Sequence, residues 1–159
     1  MNKFISAFPG TGKSTLFWNA QRFGMYALNI EGTPAFRSPN VGDLPYLYDS
    51  DSSTFAKSHF PMNYIKHMKD VVVRHVGDRD FTMLVSSHDN VREAMSENGI
   101  DYILVYPDRS LKDEYIKRYK DRNSSDFFVK LMEDKWDDFI DSCERDQCLN
   151  KVVLQAGQY

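Results

Sequence analysis

Apolar and polar positions fall in short blocks along this chain, and the blocks switch between a period of two and a period of about 3.6 residues. Residues 3–7, KFISA, fit a short strand that runs straight into a glycine-rich loop. Leu16, Phe17, Ala20 and Phe23 then recur at helical spacing, which predicts a helix over 13–23 stopped by Gly24. Residues 25–45 are dense in Gly and Pro and read as an irregular excursion, although the MYALNI run within them also fits a strand. Residues 46–48, YLY, fit a strand ending in Asp49, Ser50, Asp51, Ser52 and Ser53. Pro61 suits the first turn of a helix, and Tyr64, Ile65, Met68, Val71 and Val72 keep one apolar face to about His75. Residues 81–85, FTMLV, predict a buried strand. A helix over 89–98 follows, capped by Ser86 or Ser87 and ended by Gly99. Residues 102–106 predict another strand, closed by Pro107. Ser110 and Asp113 have the spacing of a capping box and open a helix over 111–122. Phe127, Phe128, Leu131, Met132, Phe139, Ile140 and Cys143 mark a long amphipathic helix over 126–146, and residues 151–155 form a last strand.

Strands alternating with helices imply an α/β fold with a mostly parallel sheet, helices on both faces and right-handed crossovers. A length of 159 residues suits a single domain spanning 1–159. Hydrophobic residues at 42% and charged residues at 27% exclude a disordered or fibrous chain. Two cysteines cannot frame a disulfide-rich secreted scaffold. No apolar run approaches the roughly 20 residues that span a bilayer. The expectation is a soluble cytoplasmic protein with no membrane partner, as a monomer or homodimer. The net charge of −3 is unevenly spread. Residues 1–80 carry nine Lys/Arg against seven Asp/Glu, and residues 81–159 carry eleven against sixteen. No basic block of five or six residues exists, which disfavours a long nucleic-acid track but leaves open a strand end or a small phosphorylated ligand.

The sharpest chemical signal is AFPGTGKST, residues 7–15. It follows a strand and opens a helix, which is the setting a phosphate-binding loop requires. Gly10 and Gly12 allow positive φ and close backbone approach, so the N–H groups of the loop and helix start can form an anion nest. Pro9, Gly10, Thr11, Gly12, Lys13, Ser14 and Thr15 are the expected nucleotide-binding residues. Lys13 would place its charge between the β- and γ-phosphates, and the Ser14 hydroxyl would ligate Mg²⁺. Ala7 stands where the strict pattern has Gly. No Asn-Lys-x-Asp guanine reader exists, because Val152 and Val153 follow Asn150 and Lys151. The 81–85 strand ends in Ser86, Ser87 and His88 rather than in the Asp-Glu pair of ring-forming ATPases. Small kinases remain.

Asp49 and Asp51 sit two apart at a strand end, so both face the same way into the crevice at the carboxyl edge of a parallel sheet. Asp49 could hold Mg²⁺ through water, and Asp51 could orient or deprotonate an acceptor hydroxyl. An Asx-turn and helix cap is the other reading of this Asp-Ser cluster. Arg118 and Arg122, one helical turn apart, precede the polar run 123–126 and suit a short lid over about 118–128 that closes on the transferred phosphoryl group. Arg118 could instead form an ordinary surface pair with Glu114. Arg92 could reach an acceptor phosphate, with surface charge as the alternative. His88 could cap a helix or touch substrate. Cys143 and Cys148 read as reduced and inert.

These residues carry a resemblance to small P-loop kinases of the nucleoside monophosphate kinase-like superfamily. The matching parts are GTGKST at 10–15, Asp-x-Asp at 49–51, the strand and Arg-bearing helix at 82–92, and Arg-x-x-x-Arg at 118–122. The chain is also similar to small kinase-like proteins of tailed bacteriophages, in which DSDSS, VSSH-x-x-VR and LVYP runs recur; that would place it in a host cytoplasm. The resemblance implies a three-layer P-loop NTPase fold with a parallel five-stranded sheet, order 2-3-1-4-5. It implies ATP and Mg²⁺ as cofactors and an adenine-reading loop at Gln155, Ala156 and Gly157. Monophosphate kinases often have Asp-Gly-x-Pro-Arg after the third strand, where this chain has Ser-Ser-His-Asp. Hydroxyl kinases such as shikimate, gluconate and polynucleotide kinases resemble it in the Asp-x-Asp strand end.

The expected activity is transfer of the γ-phosphate of ATP to a small nucleotide or nucleoside-like acceptor. The catalytic residues would be Lys13, Asp51, Arg118 and Arg122. The acceptor side would use Asp49, Asp51 and Arg92, with residues 61–75 as the pocket wall. The metal residues would be Ser14 and Asp49. A polynucleotide 5′-hydroxyl or modified-base kinase is the first alternative, and a nucleotide-binding regulatory protein with little turnover is the second.

Overall fold

The computed structural model describes residues 1–36 and 42–158. Its strands are β1 (Lys3–Ala7), β2 (Tyr26–Leu28), β3 (Tyr46–Asp49), β4 (Phe81–Ser86), β5 (Ile103–Pro107) and β6 (Asn150–Leu154). Its helices are α1 (Lys13–Trp18), α2 (Met62–Arg74), α3 (Asp89–Glu97), α4 (Lys112–Asp121) and α5 (Asp126–Arg145). The strands form one parallel sheet of six in the order β2-β3-β4-β1-β5-β6. The expected sheet of five is therefore extended by β2, which adds to the edge beside β3. Its three residues lie inside the 25–45 stretch read as irregular, where Ala27 and Leu28 supply the buried pair. The centre of that stretch, residues 37–41, lies outside the described residues. The order of the other five strands is the one the family resemblance implies.

Alternation along the strands splits the core in two. Tyr48, Met83, Val85, Leu104 and Tyr106 face Tyr64, Met68, Met95, Trp136 and Ile140 from α2, α3 and α5. Leu47 and Leu84 face the other way, toward Ala20 and the partly buried Leu16 and Phe17. The predicted helix over 13–23 is interrupted. α1 stops at Trp18, Asn19 turns its amide back to the Thr15 carbonyl at 2.8 Å, and a single 3₁₀ turn over Ala20–Phe23 ends at Gly24 with φ 74°. No helix among the described residues is long and apolar enough to cross a membrane.

α5 has two apolar rows rather than one. Val129, Met132, Trp136, Ile140 and Cys143 are buried against the sheet. Trp136 packs its ring edge-to-face on Phe8 at 5.4 Å and donates its indole N–H to the Arg109 carbonyl at 3.0 Å. Burial of such a ring is worth about 3–5 kcal/mol against alanine. Phe128, Leu131 and Phe139 form a second row that stays only half-buried, and Phe127, expected on the apolar face, is exposed. Ser125 caps α5 by accepting from the Phe128 N–H at 3.1 Å. The cap at the start of α4 lies earlier than its capping-box spacing suggests: the Asp108 carboxylate accepts from the Ser110 N–H at 3.0 Å and opens a 3₁₀ turn.

Register places the site. Ala7 of β1 lies beside Ser86 of β4, and Leu84 of β4 lies beside Asp49 of β3. The carboxyl ends of three neighbouring strands thus deliver the glycine loop, Ser86 and Asp49 to one edge of the sheet. Ala7 is buried inside regular β1, where its methyl group is accommodated in place of glycine.

Candidate active site

The loop after β1 is held from within and from above. The Thr11 hydroxyl donates to the Phe8 carbonyl at 2.7 Å, so this side chain turns inward and only its backbone is left for a ligand. Gly10 and Gly12 have φ 84° and 97°. Gly10 is needed for contact as well as for conformation, since a Cβ there would lie 2.9 Å from the Tyr119 ring and 3.3 Å from that of Tyr115. α4 is fastened to the loop at the same place. Tyr119 donates its hydroxyl to the Pro9 carbonyl at 2.8 Å, and Arg118 donates to the Gly10 carbonyl at 2.9 Å. Arg118 also pairs with Glu114 at 3.0 Å and lies over the Tyr115 ring at 4.3 Å. The simple surface pair is thus only half of its role. Glu114 in turn accepts from the Gly157 N–H at 3.4 Å, which draws the 155–157 turn toward α4.

A cleft of about 800 Å³ opens beside the loop. It is lined by Pro9, Gly10 and residues 12–15, by Asp49 to Ser52 and Ser86, and by Arg118, Asp121, Arg122 and Phe128. The sequence-predicted loop residues other than Thr11, both aspartates and both lid arginines therefore meet in one place. Only residues 122–125 separate α4 from α5, so the segment expected to form a lid is a tight connection with Asn123 at φ 60°. Arg122 closes α4, with its guanidinium 5.0 Å from the Tyr119 ring centre and 5.8 Å from that of Phe128, and its Nε donates to the Ser124 hydroxyl at 3.1 Å.

The charged groups of the cleft sense one another. Burial pushes the Lys13 ammonium down from its ordinary 10.5 to about 8, against the pull of Asp49 and Asp51 and with the push of Arg122. Its Nζ donates to the Ala7 carbonyl at 2.7 Å. Burial raises the Asp49 carboxyl above its usual range, while Lys13 draws it down and Asp51 pushes it up. Asp51 also makes the Asx-turn its sequence allowed, accepting from the Ser53 N–H at 2.9 Å through one oxygen. The same side chain also lines the cleft, so the turn it caps does not withdraw it from there.

Two buried hydroxyls at this edge, Ser50 Oγ and Ser86 Oγ, have no hydrogen-bond partner among the described residues. Their backbones are fixed by a residue that hydrophobic periodicity marks only as core. Tyr64 of α2, fully buried, donates its hydroxyl to the Ser50 carbonyl at 2.6 Å and accepts from the Ser86 N–H at 3.2 Å. It clamps the ends of β3 and β4 together. Tyr64, Tyr119 and Phe128 are the site residues that the sequence does not single out. All three are aromatic and hide among ordinary core positions.

Arg92 is corrected. The structure commits its guanidinium elsewhere: Nε donates to the Ser87 carbonyl at 2.9 Å, Nη1 to Asp146 at 2.7 Å and Nη2 to the Ser142 hydroxyl at 2.6 Å. Arg92 is 5% exposed and does not line the cleft beside the glycine loop. Burial alone would raise the Asp146 carboxyl, but hydrogen bonds from Arg92 and the Tyr102 hydroxyl hold it below the ordinary range. Removing one partner of such a pair strands the other charge. Arg92→Met is expected to lower unfolding free energy by about 3–5 kcal/mol, read from urea denaturation. The wall expected from residues 61–75 is corrected too. α2 faces the core, and a second cavity of about 560 Å³ has Phe128, Leu131, Met132 and Phe139 of α5 as its apolar wall. His88, rather than Ser86 or Ser87, is the N-cap residue of α3; its side chain makes no cap hydrogen bond, and it lines this second cavity.

Comparison with known proteins bears on the fold. No family model matches the chain, and no curated protein sequence matches it. Among solved structures, the tunicamycin resistance protein of Deinococcus radiodurans superposes with a TM-score of 0.53 at 12% identity, over 100% of this chain and 89% of that one. At this identity the likeness is one of fold, a parallel sheet covered by helices.

Proposed function

We propose that the chain is an ATP-dependent phosphotransferase acting on a small nucleotide or nucleoside-like acceptor. One observation carries this reading: the glycine loop with Lys13, the carboxylates Asp49 and Asp51, and the arginines Arg118 and Arg122 line a single cleft. Phosphoryl transfer asks a protein mainly for positioning and for positive charge around the moving group. The loop amides would hold the donor's phosphates, and Lys13 would set its charge between the β and γ positions. Arg122, backed by two aromatic rings, would balance charge on the transferred group. Arg118, bonded to the Gly10 carbonyl, would keep the loop in shape.

The residues present also fit Mg²⁺. That ion takes oxygen donors, and one or two carboxylates with substrate phosphates suffice. The Ser14 hydroxyl and the Asp49 carboxylate line the cleft, with the unpartnered Ser50 hydroxyl beside them. No group of three or more His, Cys, Asp or Glu is assembled among the described residues, and such a site does not require one. Bound there, the ion would neutralise charge on the donor's phosphates.

Calorimetric titration with Mg²⁺ and ATP, followed by an ADP-release assay with and without a nucleotide and nucleoside panel, tests the reading. Binding together with acceptor-stimulated release is the expected result. Binding with no stimulation by any acceptor would favour a nucleotide-binding regulatory protein. Absence of ATP binding would remove the basis of the proposal.

A further inference from the structure

The second cavity adjoins the phosphate cleft, with Pro9, Lys13, Ser86 and Phe128 lining both. Two features set its chemistry. The first is the half-buried apolar row of α5. Phe128 and Phe139 pack against the core on one side, and with Leu131 they also line this cavity, together with Phe8 and Pro9. The second is its charge balance. Apart from Lys13, which serves the phosphate cleft, the lining holds the cations Arg92, Lys135 and Arg145 and the anions Asp89, Asp138 and Asp141. Arg92 is the buried cation of this set, and its guanidinium is taken by Asp146, Ser142 and Ser87. Lys135 is exposed and lies 3.7 Å from Asp138. Arg145 is exposed at the last turn of α5. A phosphate seated here would lose water without gaining a buried cation, which is costly for a charged group. A flat neutral body would exchange water for aromatic and aliphatic side chains. A volume of about 560 Å³ is in the range of small-molecule sites.

We infer that the acceptor is an uncharged, hydroxyl-bearing molecule of nucleoside size, seated against α5 with its hydroxyl toward Asp51, and that nucleoside monophosphates are excluded. This rests on the phosphotransferase reading above and narrows it. The hydroxyl proton passes to the Asp51 carboxylate, whose second oxygen is not the one that caps Ser53. The acceptor oxygen forms a bond to the γ-phosphorus as the bond from that phosphorus to the β,γ-bridging oxygen breaks. The products are a phosphomonoester and ADP, and Asp51 returns its proton to solvent.

The full chain, supplied with Mg²⁺ and ATP, is offered ribonucleosides and 2′-deoxynucleosides, their matched 5′-monophosphates and a single-stranded oligonucleotide with a free 5′-hydroxyl. Nucleosides are expected to exceed the monophosphates and the oligonucleotide in kcat/KM on the order of tenfold or more, because the buried Arg92 is already taken by Asp146 and Ser142 and the cavity's other cations outside the phosphate cleft are exposed. Leu131→Trp, which fills the cavity from its half-buried row, is expected to raise the nucleoside KM about tenfold, with a circular dichroism spectrum that overlays the parent's. Preference for monophosphates or for the oligonucleotide overturns the inference. So does an unchanged KM in Leu131→Trp, or no nucleoside-stimulated release while ATP binding is intact. Loss of ATP binding in the unaltered chain would instead overturn the phosphotransferase reading beneath it, so the two failures are told apart by calorimetry.

Discussion

Lys13→Ala is expected to cut acceptor-stimulated ADP release at least on the order of 10²–10³-fold, the scale for removing one preorganised charge-stabilising donor. The fold should survive. Lys13 contributes one hydrogen bond, to the Ala7 carbonyl, and the burial that lowers its pKa means the ammonium is held at a cost in the free protein. A melting curve close to the parent's, together with lost turnover, is the expected pair of observations; unchanged turnover would sink the kinase reading. The same lysine gives a pH signature. Its value of about 8 leaves the free protein short of the ammonium once the pH climbs above that point. Bound phosphates favour the charged form, so binding above this pH must take up a proton. ATP affinity should therefore weaken as pH rises past about 8, by up to about tenfold per unit, and Lys13→Ala should lack the trend. Calorimetry across pH 7 to 9.5, in buffers of different ionisation enthalpy, reads both the slope and the proton.

Asp51→Asn is the second large effect. The substituted amide oxygen can still accept from the Ser53 N–H, so the turn after β3 keeps its shape. What disappears is the capacity to take a proton. Transfer to a hydroxyl should slow on the order of 10²–10⁴-fold in kcat, the range for a general base, with a smaller change in KM. Transfer to a phosphate needs no base, so a kcat that barely moves would point to a phosphate acceptor. Asp49→Asn differs in that its effect should depend on Mg²⁺ concentration.

The parts of this site that lie close together in the chain are legible in the amino-acid sequence. Residues 10–15 form their loop from contiguous positions, and Asp49 and Asp51 lie two apart where β3 ends, Asp49 closing the strand and Asp51 capping the turn that follows. The sheet order of the five longer strands follows from the family resemblance. Where the sequence misleads, a distant partner decides. Arg92 meets Asp146, 54 positions along the chain, and no local pattern announces that pair. Tyr64 has the spacing of a core residue, and its hydroxyl matters only once β3 and β4 end side by side beneath it. Residues 61–75 line neither cavity, whereas α5 lines the second, because the long helix carries two apolar rows, which its sequence presents as one broad stripe. Asn19 ends α1 early by returning its side chain to the backbone, a local competition that propensity alone does not resolve. β2 is three residues long, too short for periodicity to be measured against its neighbours.

Tyr119 and Arg118 grip the carbonyls of Pro9 and Gly10, and the absent side chain of Gly10 lets the two tyrosine rings close over the loop. The conformational entropy of this loop is therefore surrendered when the protein folds, not when a ligand arrives. A loop that must be ordered on binding takes that loss out of its affinity, whereas this one meets its ligand already shaped. The same stitching links α4, and through it the short turn that carries Arg122, to the backbone on which the donor's phosphates would rest. In this chain Arg122 and the glycine loop belong to one stiff unit.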